Sequence, residues 1–235
     1  MSPLDFLTSL EGALFILRWL HFFFGIIWIG HLYYFNFTQT PFFAEADPAV
    51  RSGAVQKLVP RALWWFRWGA FWTAATGLAY LGIRGHQLGS TMTASAWGVS
   101  ILTGGILGLI MAANVWFIIW PAQKIVIANA VDTAAGKPAN PAAAAHGARA
   151  GVCSRTNTLL SIPMLFFMGA ASHFGYSVSE SSNTMGYWIA FGVIAIAVEA
   201  NAIKGKLGPM ATVKGVIVGG FVLTAVLVGL LTALM

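Results

Sequence analysis

Charge is what this sequence has least of. Only 9% of its 235 residues are Asp, Glu, Lys or Arg, against about a quarter in an ordinary soluble domain. Seven acidic and thirteen basic side chains cannot clothe a soluble globule, whereas 58% of the chain is hydrophobic, so the lipid bilayer has to cover much of the surface. Cysteine is nearly absent too. Cys153 stands alone, which excludes an intrachain disulfide, a cysteine-based metal site and the Cys-x-x-Cys-His attachment of a c-type haem. Any cofactor must be held without a covalent bond. No P-loop, dinucleotide fingerprint or Ser-His-Asp order is present. The N-terminus lacks the basic region of a signal peptide, carrying Asp5 and Glu11 instead, and is expected to stay in the mature chain.

What is present in quantity is apolar sequence. About 20 apolar residues cross the hydrocarbon as a helix, and six stretches approach that length: 15–37, 63–83, 97–120, 157–174, 187–200 and 215–234. The expected fold is therefore all-α, a single integral membrane bundle of about six transmembrane helices over residues 1–235. Trp97 and Trp120 bracket the third stretch as an aromatic belt, Pro121 closes it, and Pro163 should kink the fourth. The connection from Pro121 to Ser154 is the only long one and includes a low-complexity Ala/Pro run, 137–146, read as a loose helix or a loop.

A net charge of +6 raises the question of nucleic acid, and position answers it. Ten of the thirteen basic residues (Arg51, Lys57, Arg61, Lys124, Lys137, Arg149, Arg155, Lys204, Lys206 and Lys214) fall in connections on one side of the alternating spans. The positive-inside rule makes that side cytoplasmic and puts both termini on the periplasmic side of a bacterial inner membrane. The basic residues thus mark topology, and no nucleic-acid partner is expected.

Polar groups at membrane depth are functional candidates by default, although some only hold helices together. His21 near the outer end of the first span and His173 at the end of the fourth lie at one level if those spans run antiparallel. Gly25 follows His21 by one turn and Gly169 precedes His173 by one turn, so each imidazole has a bare glycine beside it. Two imidazoles across such a slot suit the axial positions of a non-covalent, bis-His haem b, and Arg18 and Arg84 suit its propionates. The plainer reading is two interfacial histidines and close-packing glycines. His31, about 15 Å deeper and about 80° around the helix from His21, cannot belong to the same site. It joins Asn36, Arg67, Asn114, Arg155, Asn157 and Glu199 at the inner level. That layer reads either as a structural polar cluster, with Glu199 as the expected salt-bridge partner of Arg67, or as a substrate or quinol site. In the second reading His31, Arg67, Arg155 and Glu199 are catalytic candidates, and a second haem at His31 is the remaining option.

The run Leu17-Arg-Trp-Leu-His21 with Trp28-Ile-Gly30, then Trp65-Phe-Arg67-Trp68 with Trp72-Thr73 and Gly77, resembles the N-terminal membrane domain of the bacterial membrane-bound urate oxidases, also described as cytochrome-linked urate dehydrogenases. The segment Arg155-Thr-Asn157-Thr158 with Ser161, Pro163 and His173 is similar to that family's histidine-bearing helix. The resemblance covers most of the first 175 residues. It implies redox work, with electrons leaving a purine for a c-type cytochrome. Full-length members carry a C-terminal cytochrome c domain, whereas this sequence stops at Met235, so the acceptor is expected to be a separate cytochrome. The rival expectations are an accessory subunit of a larger respiratory or oxidative complex, without turnover of its own, and a small transporter.

Overall fold

The structure, a computed structural model, describes residues 3–179 and 181–235, and among them no strand occurs. In chain order the α-helices are α1 (Pro3–Leu7), α2 (Leu10–Tyr33), α3 (Thr40–Glu45), α4 (Pro48–Lys57), α5 (Val59–Leu88), α6 (Ala96–Asn114), α7 (Trp120–Ala134), α8 (Ala143–His173), α9 (Thr184–Lys204) and α10 (Val213–Leu234). Ser9, Ser95, Asn183 and Thr212 accept the third backbone N–H beyond them and so cap α2, α6, α9 and α10, which fixes where these apolar helices begin.

Four helical stretches are long and apolar enough to cross a membrane: Leu10–Glu45, Ala96–Ala134, Thr184–Lys204 and Val213–Leu234. That is four of the about six expected; α5 and α8, the two longest helices, are not apolar enough over such a length to join the set.

Two of the sequence expectations are corrected at prolines. The third stretch does not stop at Pro121. A π-helical turn, Val115–Ile119, precedes it, and the chain continues as α7 with Pro121 as its second residue. The widened turn shifts the hydrogen-bond register just where the proline has no N–H to offer, so the helix survives. A second π-helical turn, Tyr34–Gln39, lies between α2 and α3, where Pro41 likewise occupies an early position. The long connection shrinks to residues 135–142, because the Ala-rich run enters α8, which then continues unbroken through Pro163.

Small residues set the packing, as they must when lipid gives helices no hydrophobic reason to associate. A Cβ on Gly69 would lie 3.0 Å from the backbone nitrogen of Trp28, so α2 and α5 touch backbone to backbone. Their pairs run in opposite order, Trp28 with Gly69, His21 with Thr73, Arg18 with Tyr80 and Glu11 with Arg84, which makes them antiparallel. Gly104 does the same for α6 and α8, its Cβ position being 3.1 Å from the Met164 carbonyl oxygen. Arg149 donates to the carbonyls of Ile203 and Gly205, bringing the start of α8 to the end of α9. The start of α10 therefore shares that end of the bundle, and α8 and α10 run parallel.

Candidate functional site

Where α2, α5, α6 and α8 meet, they line a cavity of about 510 Å³ that opens to the surface of the bundle. Its walls are apolar, with Phe22, Trp28, Trp97, Met164 and Met168 among them, and Arg18 stands at one end. The imidazole of His21 belongs to the lining, and its Nδ1 is 2.9 Å from the carbonyl oxygen of Thr73 on α5. A carbonyl oxygen only accepts, so Nδ1 carries the proton and Nε2 keeps the lone pair. This is the outer-shell arrangement that orients metal-binding histidines. The ring can lie so close to α5 because Gly77 has no side chain: a Cβ there would sit 3.0 Å from Cε1 and 3.1 Å from Nδ1 of His21. At the mouth, Arg18 donates to the Tyr80 hydroxyl at 2.6 Å.

Of the residues anticipated here, Arg18, His21 and Gly25 line the cavity. Arg84 does not; its guanidinium bonds to Glu11 at 3.4 Å and to Gln87 at 3.0 Å. His173 ends α8 as an exposed residue, and Ser172 before it is the residue that lines the cavity. Gly169 is exposed, with open space where a Cβ would be. Beside Gly25, the glycines in the cavity lining are Gly30 on α2, Gly77 on α5 and Gly105 and Gly108 on α6. Sequence reasoning missed those on α5 and α6 because it paired the first span with the fourth. The backbone contact at Gly69 pairs α2 with α5, and only Gly77, two turns beyond Gly69, carried a legible signal. The dimensions, the apolar lining and the oriented imidazole fit a flat, non-covalently held haem.

The inner polar layer is built differently. Asn114 donates to the Asn157 Oδ1 at 2.9 Å and to the Glu199 Oε2 at 3.0 Å, and Asn157 donates to the Met111 carbonyl at 2.9 Å. Asn36 donates to Ser154 at 2.8 Å. The expected Arg67–Glu199 salt bridge is not formed: among the described residues the ion pairs are Arg84–Glu11 and Lys137–Asp132. Arg67 lies with its guanidinium 3.9 Å from the centre of the Trp120 ring, where a delocalised cation is held by the aromatic face, and Glu199 is engaged by Asn114. His31 donates through Nδ1 to the Ile27 carbonyl on its own helix at 2.7 Å. Arg155 is 6% exposed, and its Nη1 has no partner. No hydrogen bond or ion pair joins any two of His31, Arg67, Arg155 and Glu199.

The fold and the cavity define a class: an all-helical membrane protein with an apolar pocket and one imidazole oriented inside it. The profile of the urate oxidase N-terminal family matches residues 84–228. The chain belongs to that family. The matched segment contains Arg155, Gly169, His173 and Glu199 but neither His21 nor the rest of α2; it overlaps the first 175 residues, to which the motifs pointed, from residue 84 onward and continues past them. No curated protein and no solved structure matches the chain.

Proposed function

We propose that the protein is an integral membrane haem b protein of six crossings that carries electrons; His21 in the cavity lining would hold the iron, and His173, one residue beyond that lining, would be the second imidazole to reach it. The observation that carries this reading is the His21–Thr73 hydrogen bond at the wall of the cavity. It leaves the Nε2 lone pair free within an apolar space large enough for a macrocycle. Haem bound there supplies a one-electron carrier. The rest is the work of this chain. The Thr73 carbonyl fixes the imidazole, Gly77 makes room for it, and Arg18 at the mouth is placed to pair with propionate oxygens. The apolar lining lowers the local dielectric, which raises the weight of every nearby charge in setting a potential. His173 adjoins Ser172 at the cavity rim and is the second imidazole available at that level.

Six crossings follow if α5 and α8 span as well. Arg67 is sheltered by Trp120 and Arg155 is buried within the bundle, so neither arginine excludes a crossing. The basic connections then lie in the cytoplasm and both termini in the periplasm. Family membership supports urate as the electron donor and a c-type cytochrome as acceptor. The alternative role is an accessory subunit of a larger oxidative complex.

Reduced-minus-oxidised spectra of the protein purified in detergent, with a pyridine haemochrome assay, test this. A b-type signal abolished in His21→Ala and His173→Ala supports the assignment. Loss in His21→Ala and Met168→Leu, with His173→Ala unaffected, would move the second ligand to a cavity thioether. A folded, colourless protein would overturn the haem reading, and failure to reduce a soluble c-type cytochrome with urate would favour the accessory role.

A further inference from the structure

Arg155 is a charged side chain held inside the bundle without a partner. It is 6% exposed, forms no hydrogen bond to any described residue, and takes part in none of the ion pairs. Its Nη1 is enclosed without a partner on a group that has no counter-ion, a costly arrangement that a bound anion would relieve. A water molecule can meet its N–H groups, but it cannot neutralise the charge.

The face of α8 that carries Arg155 is known from its neighbours. Residues 155, 159 and 162 follow the i, i+4, i+7 spacing of one helix face. The other two meet α10: a Cβ on Gly219 would lie 3.2 Å from the Leu159 Cδ1, and one on Gly220 would lie 3.0 Å from the Ile162 Cβ. Because α8 and α10 run parallel, stepping back from these contacts places Arg155 about 6 Å and Val213 about 9 Å toward the basic end. Helical side chains lean toward the N-terminus of their own helix, so the guanidinium extends toward the first turn of α10. That turn begins a 22-residue helix. Thr212 accepts the N–H of Gly215 and the Thr212 carbonyl accepts that of Val216, but the N–H groups of Val213 and Lys214 have no hydrogen bond to any described residue. Lys214 itself is exposed beside them.

We infer that Arg155 and the N-terminus of α10 together form a binding site for a small oxyanion group, a phosphate or a phosphodiester, reached from the basic end of the bundle. The partial positive charge of a helix N-terminus and its free N–H groups suit an anion, and the buried guanidinium supplies the full charge that makes the site specific for one. The site is separate from the cavity at His21 and stands whether or not that cavity holds haem.

Two sources offer this chemistry, inorganic phosphate and the headgroup of an anionic lipid, and thermal unfolding in nanodiscs separates them. In phosphatidylcholine discs with chloride as the only other anion, the unfolding midpoint sets the baseline. Added phosphate at saturation raises it by about 5 °C if the free ion is the ligand. Discs containing phosphatidylglycerol raise it to a similar extent, without phosphate, if the headgroup is. Either increase should disappear in Arg155→Gln and persist in part in Arg155→Lys. Should Arg155→Gln fail to fold, Val213→Pro serves in its place. Proline is tolerated at the first helical position and removes one N–H of the site, and the extended backbone of Thr212 (φ −103°, ψ 155°) suits a following proline. Val213→Pro should weaken the response and leave the baseline midpoint unchanged. No rise with either anion, or an equal rise in Arg155→Gln and Val213→Pro, would overturn the inference.

Discussion

The two polar levels of this bundle solve opposite problems. Around His21, one imidazole is turned by a backbone carbonyl and stands against an otherwise apolar, hollow space. In the inner layer the amides of Asn36, Asn114 and Asn157 are all hydrogen-bonded across helices. Polar groups that satisfy one another hold helices together. A polar group kept in the right tautomer with its second nitrogen unspent is equipped to bind something. Substitutions at the first level should change what the protein holds, and those at the second should change how firmly it folds.

The largest separation of the two is expected from His21→Ala, which should remove the haemochrome signal while leaving the unfolding midpoint of the cofactor-free protein within a degree or two. Gly77→Ala comes next. The new methyl would press on Cε1 and Nδ1 of His21 at 3.0 and 3.1 Å, turning the ring off the Thr73 carbonyl. Disturbing an outer-shell partner of a metal ligand weakens affinity about 10- to 100-fold, so titration of the apoprotein with haemin should show that loss. An unchanged affinity would mean that the imidazole does not work from the position seen here.

At the inner level, Asn157→Leu should leave haemin affinity untouched and lower stability by about 1–3 kcal/mol. The residue is fully buried, and its loss removes an acceptor from Asn114 and a donor from the Met111 carbonyl. Chemical denaturation in mixed micelles would measure it. If Asn157→Leu bleached the protein without destabilising it, the division between a binding level and a structural level would fail.

Much of this division was legible in the residues, and the parts that were not share a cause. Charge-free runs revealed the long helices, and the depth of His21, Asn114, Asn157 and Glu199 placed them in their layers. Which helix faces which could not be read. Span order suggested that the first and fourth helices meet at His21, but the contact there is made by α5, because Gly69 and Gly77 let two backbones approach more closely than any larger residue would. The partner of Arg67 was misjudged similarly. Opposite charges at one depth suggested Glu199, whereas a guanidinium beside an indole ring is held without desolvating a carboxylate. Pro121 read as a helix stop, since nothing in the sequence marks a π-helical turn that absorbs the missing N–H.

The smallest effect is expected where the two levels join. The Tyr33 hydroxyl lies 2.9 Å from the Ser161 Oγ, and Ser161 donates to the Thr158 carbonyl at 2.7 Å, so tyrosine is the donor in this link between α2 and α8. Tyr33→Phe removes that hydrogen bond and leaves the ring stacked on Phe37, whose centroid is 4.9 Å away. Interhelical hydrogen bonds in membranes average about 0.6 kcal/mol, and Tyr33→Phe should lose about that much. Ser161→Ala should cost no less, because it leaves the tyrosine hydroxyl without an acceptor in a half-buried position, and the double variant should resemble Tyr33→Phe alone. A double-mutant cycle showing the two losses to be additive would separate the residues energetically, and with them the link between the cavity-bearing helix α2 and the inner layer on α8.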